Sequence, residues 1–177
     1  MNWILKSIVF LALGVLIVYC AWLGYLVYAR SQGNEYTIQL TASFNAAALV
    51  NGEETYTDPD RAVISTYEGR QYVILPDNYK AIVSLLRKDH AMPMFRRVGK
   101  NAPLSITICG RTRLQIAPDK GSVDGALISL HTDGGKHFTM HVRGGNLWLQ
   151  ILEYTTAGRT HYRNLPLQAQ RLYNVMA

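Results

Sequence analysis

Residues 7–29 form a run of 23 positions without a formal charge, dominated by Ile, Leu, Val and aromatic side chains. A helix of that length is roughly 35 Å long, enough to cross a ~30 Å hydrocarbon core with some tilt. Lys6 and Arg30 bracket the run. Trp3 lies near one end and Trp22, Tyr25 and Tyr28 near the other, where amphipathic rings favour the headgroup zone. A cleaved secretory leader is the rival reading, with Val27 and Ala29 in the small-residue positions. The core of such a leader is only about 7–15 residues long, however. The pattern therefore predicts a retained transmembrane anchor over residues 1–30 and one soluble domain over residues 31–177. Lysine and arginine balance across the span. The short N-terminal tail favours an inside N-terminus and an extracytoplasmic domain.

After the anchor the pattern changes period. Tyr36, Ile38 and Leu40 alternate with Thr37, Gln39 and Thr41, which predicts a first strand over residues 36–44. Residues 51–60 read as an acidic loop without the ligand spacing of a calcium site. Two β-forming runs joined at Glu68-Gly69-Arg70 predict a hairpin over residues 61–75. Asp77 then suits the N-cap of a helix over residues 78–89, whose apolar face is Tyr79, Ile82, Val83 and Leu86.

Register can be argued for two later segments. In residues 104–118 a two-residue turn would set apolar against polar positions. A three-residue loop, Gly110-Arg111-Thr112, gathers Leu104, Ile106, Ile108, Leu114 and Ile116 on one face. In residues 126–154, Gly134-Gly135 and Gly144-Gly145 read as two-residue turns of a three-stranded meander. That register places Phe138, Met140 and Val142 opposite Ile151, Leu149 and Leu147, with Leu127 and Ser129 beside them. It turns His131 away from His137 and His141. A further strand at residues 160–163 and a short helix at 167–175 complete the reading. The fold class is α+β: a mainly antiparallel sheet of about seven to nine strands with one packed helix.

Composition narrows function mostly by exclusion. Outside Lys6 and Arg30 the chain holds 16 Lys/Arg and 12 Asp/Glu, an excess of four positive charges. That is far from the clustered charge of a nucleic-acid binder. Cys20 lies in the apolar run and Cys109 in the domain, so the two cysteines make no disulfide framework. No nucleophile-elbow, zinc-protease, dithiol or phosphate-loop motif is present, and no cofactor is implied.

Two groups of residues remain as candidates. His137, Thr139, His141, Trp148 and Gln150 form a mixed polar and aromatic face on the expected meander, suited to ligand or protein contact. His137 and His141 are four residues apart, about 13 Å along a strand, too far for one zinc ion. No metal site is expected. Arg87, Lys88, Arg96, Arg97 and Lys100 form the most basic stretch, offset by Asp89, and suit an anionic lipid, a wall polymer or an acidic protein. The reading that follows is a non-catalytic, membrane-anchored binding module. The alternatives are an envelope hydrolase or transferase using scattered residues such as His137, His141 or Cys109, and a structural subunit of a membrane complex.

Overall fold

A computed structural model describes residues 2–50, 62–87, 91–94, 98–99, 102–119 and 125–156. Among them are three helices and seven strands: α1 (Asn2–Val50), β1 (Val63–Tyr67), β2 (Arg70–Val73), α2 (Pro76–Leu86), β3 (Met92–Pro93), β4 (Leu104–Ile108), β5 (Thr112–Pro118), β6 (Gly125–His131), β7 (His137–Arg143) and α3 (Leu147–Thr156). The strands make one antiparallel sheet in the order β2-β1-β4-β5-β6-β7-β3. The α+β class with a mainly antiparallel sheet is as expected, but α1 and α3 join α2 in the core where one packed helix was expected. The acidic loop at 51–60 and the elements expected beyond residue 156 lie outside the described residues.

The largest departure is α1, which is 49 residues long. Its apolar first half is long enough to cross a membrane, and none of its most apolar window is covered by the rest of the chain. The helix then continues through Arg30–Asn34, expected as a short link, and through the expected first strand. Tyr36, Leu40, Phe44 and Ala47 are buried at spacings of four, four and three, the stripe of a helix packed along one face. Ile38 decides between the two periods. A strand would bury it with Tyr36 and Leu40, yet it is 64% exposed and they are fully buried. Alternation and helical spacing coincide at positions 36, 40 and 44. A helix already propagating from residue 29 needs no new nucleus to continue.

A single face of the sheet carries the core. The register sets Leu104, Ile106, Leu114, Ile116, Ala126, Ile128, Leu130, Phe138, Met140 and Val142 on that side. They join Leu40 and Phe44 of α1, Ile82 and Leu86 of α2, and Leu147 and Ile151 of α3 in one cluster. The α1 helix enters over the β3–β7 edge, where Tyr36 meets Phe138 edge-to-face. Farther on it reaches β5, where Ser43 Oγ lies 3.4 Å from Thr112 Oγ1. The β3 edge thus lies towards the apolar half of α1, and β2 lies at the far edge.

The hairpin turns set the register of the sheet. The first turns at Glu68 and Gly69, whose φ values of 49° and 75° give the paired left-handed geometry of a two-residue turn. The β4–β5 loop has three residues as expected, but they are Cys109-Gly110-Arg111. Ile106 therefore pairs with Leu114 and Leu104 with Ile116. The register moves by two positions, so the apolar face is preserved. Left-handed Cys109 (φ 50°) and Gly110 (φ 65°) place the turn one residue early.

Two other expectations are corrected. The β6–β7 loop is one residue longer than a Gly134-Gly135 turn: Thr132 N donates to Lys136 O, and left-handed Gly135 closes a three-residue loop. Ser129 and Leu127 consequently leave the helix-covered face, and Ala126, Ile128 and Leu130 take it. The third meander strand is instead α3, with Leu147, Ile151 and Thr155 buried at four-residue spacing and Leu149 60% exposed. Ser65 Oγ on β1 donates to Thr155 O at 2.6 Å in the interior, tying α3 to the sheet. Lastly, α2 begins at Pro76, so Asp77 stands in its first turn instead of capping it.

Candidate functional site

The sheet side opposite the three helices is mainly polar, with Ala117 and Leu127 among its apolar members. On its β5–β6–β7 portion the register builds three rows: Arg113, His131 and His137; Gln115, Ser129 and Thr139; Ala117, Leu127 and His141. Of the five residues expected to share a face, His137, Thr139 and His141 do so, at alternate positions along β7. Trp148 and Gln150 do not. They belong to α3 on the other side, where Trp148 packs on the core and Gln150 Nε2 donates to Gly145 O at 3.2 Å.

His131, expected to point away, stacks on His137 with ring centroids 4.2 Å apart and planes 18° from parallel. Both rings turn Nε2 towards Ser129 Oγ, at 3.2 Å for His131 and 2.8 Å for His137. One hydroxyl can donate to one ring and accept from the other, so the trio satisfies itself when at least one imidazole is neutral. Partial burial, then His137, then Arg113 push the His131 pKa below its ordinary value. Ser129 and His131 were missed in the sequence because they follow from the odd loop length. The apolar alternation of Ala126, Ile128 and Leu130 against Phe138, Met140 and Val142 does carry that signal.

His141 has a different environment. It is buried, and its Nε2 lies 2.9 Å from Asp119 Oδ2, side chains 8% and 13% exposed. The approach is at ion-pair distance but outside hydrogen-bonding geometry, which leaves Nε2 without a hydrogen bond among the described residues. No local pattern in the sequence links positions 119 and 141.

A Ser–His contact at 2.8 Å invites a nucleophilic reading. Ser129 is, however, buried in the middle of a strand, and its hydroxyl is shared by two stacked rings. A nucleophile needs an exposed oxygen beside an oxyanion site. Cys109 stands in the β4–β5 loop, and partial burial raises its thiol pKa, with Arg111 opposing. A raised pKa suppresses the reactive thiolate. No group of three or more His, Cys, Asp or Glu side chains suited to a metal occurs among the described residues.

Of the basic group, Arg87 is described: it caps the C-terminus of α2 and is exposed. Lys88, Arg96, Arg97 and Lys100 lie outside the described residues. Grooves flank α1 on both sides. One of about 200 Å³ brings His137 and Thr139 beside Tyr28, Gln32 and Met94. Another of about 320 Å³ brings Arg87 and Ala91 beside Arg30, Gly33, Asn34 and Thr37. The Glu35–Lys136 ion pair joins α1 to the β6–β7 loop. No protein-family model, curated protein or solved structure gives a significant match to the chain.

Proposed function

We propose that this chain is a single-pass membrane protein that holds a non-catalytic binding domain against the bilayer, on the extracytoplasmic side. The observation that carries this reading is the continuity of α1. One helix runs from an uncovered apolar stretch into the core of the domain. A domain tied by a flexible tether samples many orientations. One built around the anchor helix keeps a single orientation, with the β3 edge towards the lipid and the polar sheet face pointing sideways.

That polar face is the binding surface in this reading. Arg113, Gln115, Thr139 and the stacked histidines offer donors and acceptors on the sheet side opposite the buried core. A fixed, flat, polar surface suits protein contact better than capture of a small molecule, which favours a concave, mostly apolar site. The basic residues Arg96 and Arg97 follow Met94 of the membrane-side edge by two and three positions, and suit an anionic surface.

The test is purification of the full chain in mild detergent followed by intact-complex mass measurement. A discrete complex is expected, and Gln115→Arg with Thr139→Arg on the open face should dissolve it while leaving thermal unfolding unchanged. A monomeric mass, or a complex indifferent to both substitutions, counts against the reading. Sidedness is read separately, by labelling a cysteine placed at exposed Ile38 with a membrane-impermeant reagent in intact cells.

A further inference from the structure

The groove between α1 and the start of β3 has features that the polar sheet face lacks. Arg30 and Arg87 converge on it from two elements, with Asn34 and Thr37 adding hydrogen-bonding groups along α1. Neither arginine has a carboxylate partner among the described residues. The nearby acid on the helix, Glu35, is engaged by Lys136. Gly33 lines the groove wall, where a Cβ would meet Ala91 O at 3.4 Å.

Its height along α1 is the decisive feature. Arg30 is the first charge after the apolar run, so in an inserted chain it stands at headgroup level. Leu23, Leu26, Arg30, Gly33 and Thr37 are spaced three, four, three and four apart, which sets them on one stripe of the helix. Below Arg30 that stripe is apolar and uncovered, with Leu23 and Leu26 exposed. Above it lies the cationic groove. A molecule with a phosphate at the groove and hydrocarbon along Leu23 and Leu26 matches the stripe along its whole length.

We propose that this groove is a binding site for the headgroup of an anionic phospholipid from the adjoining leaflet. Arg30 and Arg87 clamp the phosphate from two sides, Asn34 and Thr37 bond the polar headgroup, and the acyl chains descend along α1. The site rests on the insertion of residues 7–29. Bound lipid would couple α2 and the β3 segment to the bilayer surface and reinforce the orientation that α1 sets.

The test uses the full chain reconstituted in nanodiscs of mixed phosphatidylglycerol and phosphatidylcholine, then released for intact mass measurement of retained lipid. Stable incorporation into discs of phosphatidylcholine alone tests insertion independently of the site. Phosphatidylglycerol should be retained preferentially, by on the order of fivefold for each arginine. Arg30→Gln with Arg87→Gln should remove the preference, and the paired lysine substitutions should restore most of it, while circular dichroism stays unchanged. An equal preference in the glutamine variant overturns the proposal, as does equal retention of both lipids by the native chain. Displacement of the lipid by excess inorganic phosphate would reassign the groove to a free anion and likewise overturn it.

Discussion

Substituting Leu40 and Ile38 one at a time separates a helical α1 from a strand at the same positions. Leu40 is fully buried between α1 and the sheet, whereas Ile38 is 64% exposed. Leu40→Ala deletes three carbons, a transfer loss of about 2.4 kcal/mol at ~0.8 kcal/mol each. The unfilled cavity brings the total to about 3 kcal/mol, inside the range of about 2–5 for buried leucines. Ile38→Ala removes little buried surface and gains a few tenths of a kcal/mol in helix propensity, so it should be neutral or slightly stabilising. With a urea slope of about 2 kcal/mol/M, Leu40→Ala should lower the midpoint by roughly 1.5 M and Ile38→Ala should leave it in place. The assay is urea unfolding of the full chain in mild detergent. Trp148 fluorescence reports the domain once Trp3 and Trp22 are replaced by phenylalanine. Equal losses for the two variants would refute the packing of α1, because a strand buries positions 38 and 40 on the same side.

Three further outcomes follow. His131 has a lowered pKa in the folded chain, so the unfolded chain takes up more protons as pH falls through about 6.5. Stability should therefore be full above that pH and decline below it, and His131→Gln should flatten the decline in thermal unfolding scans from pH 7.5 to 5. Gly33→Ala should stabilise by up to about 1 kcal/mol, because the new Cβ meets Ala91 O at ordinary contact distance inside a helix; a lower melting temperature would show that the wall is already too tight. Replacing Arg96, Arg97 and Lys100 with glutamine should abolish salt-sensitive binding of the domain to acidic liposomes, since screening shortens from about 10 Å at 0.1 M to about 3 Å at 1 M. Binding that ignores both salt and the substitutions would remove that cluster from the membrane contact.

Particular residues show how far the sequence carried the fold. In β4 and β5 the apolar positions are separated by two, so parity alone excluded the wrong face although the loop began one residue earlier than expected. The same parity argument, applied to Ile128 and Leu130 against Met140 and Phe138, demands an odd loop in the β6–β7 hairpin. The Gly134-Gly135 pair masked that demand by resembling a two-residue turn, and the stacked His131–His137 pair was lost with it. At 36–44 and 147–151 the difficulty was different. Leu147 and Ile151 are four apart, which fits an even step in a strand and one turn of a helix equally well; Leu149 between them discriminates only once its exposure is known. Tertiary placement settled both segments as helices: α1 continues from the apolar span, and α3 closes over β1 through Ser65 and Thr155. The His141–Asp119 contact joins positions 22 apart in sequence across a loop and leaves no local trace.

The proposed continuity of α1 from bilayer to core is tested most directly by a nitroxide scan of residues 7–50 in nanodiscs, comparing accessibility to oxygen and to a water-soluble relaxant. Lipid exposure should extend over residues 7–29. Beyond Arg30 protection should recur at 36, 40, 44 and 47, with residue 38 open to water. Water access throughout residues 7–29, or alternating protection at 36, 38 and 40, would contradict the account.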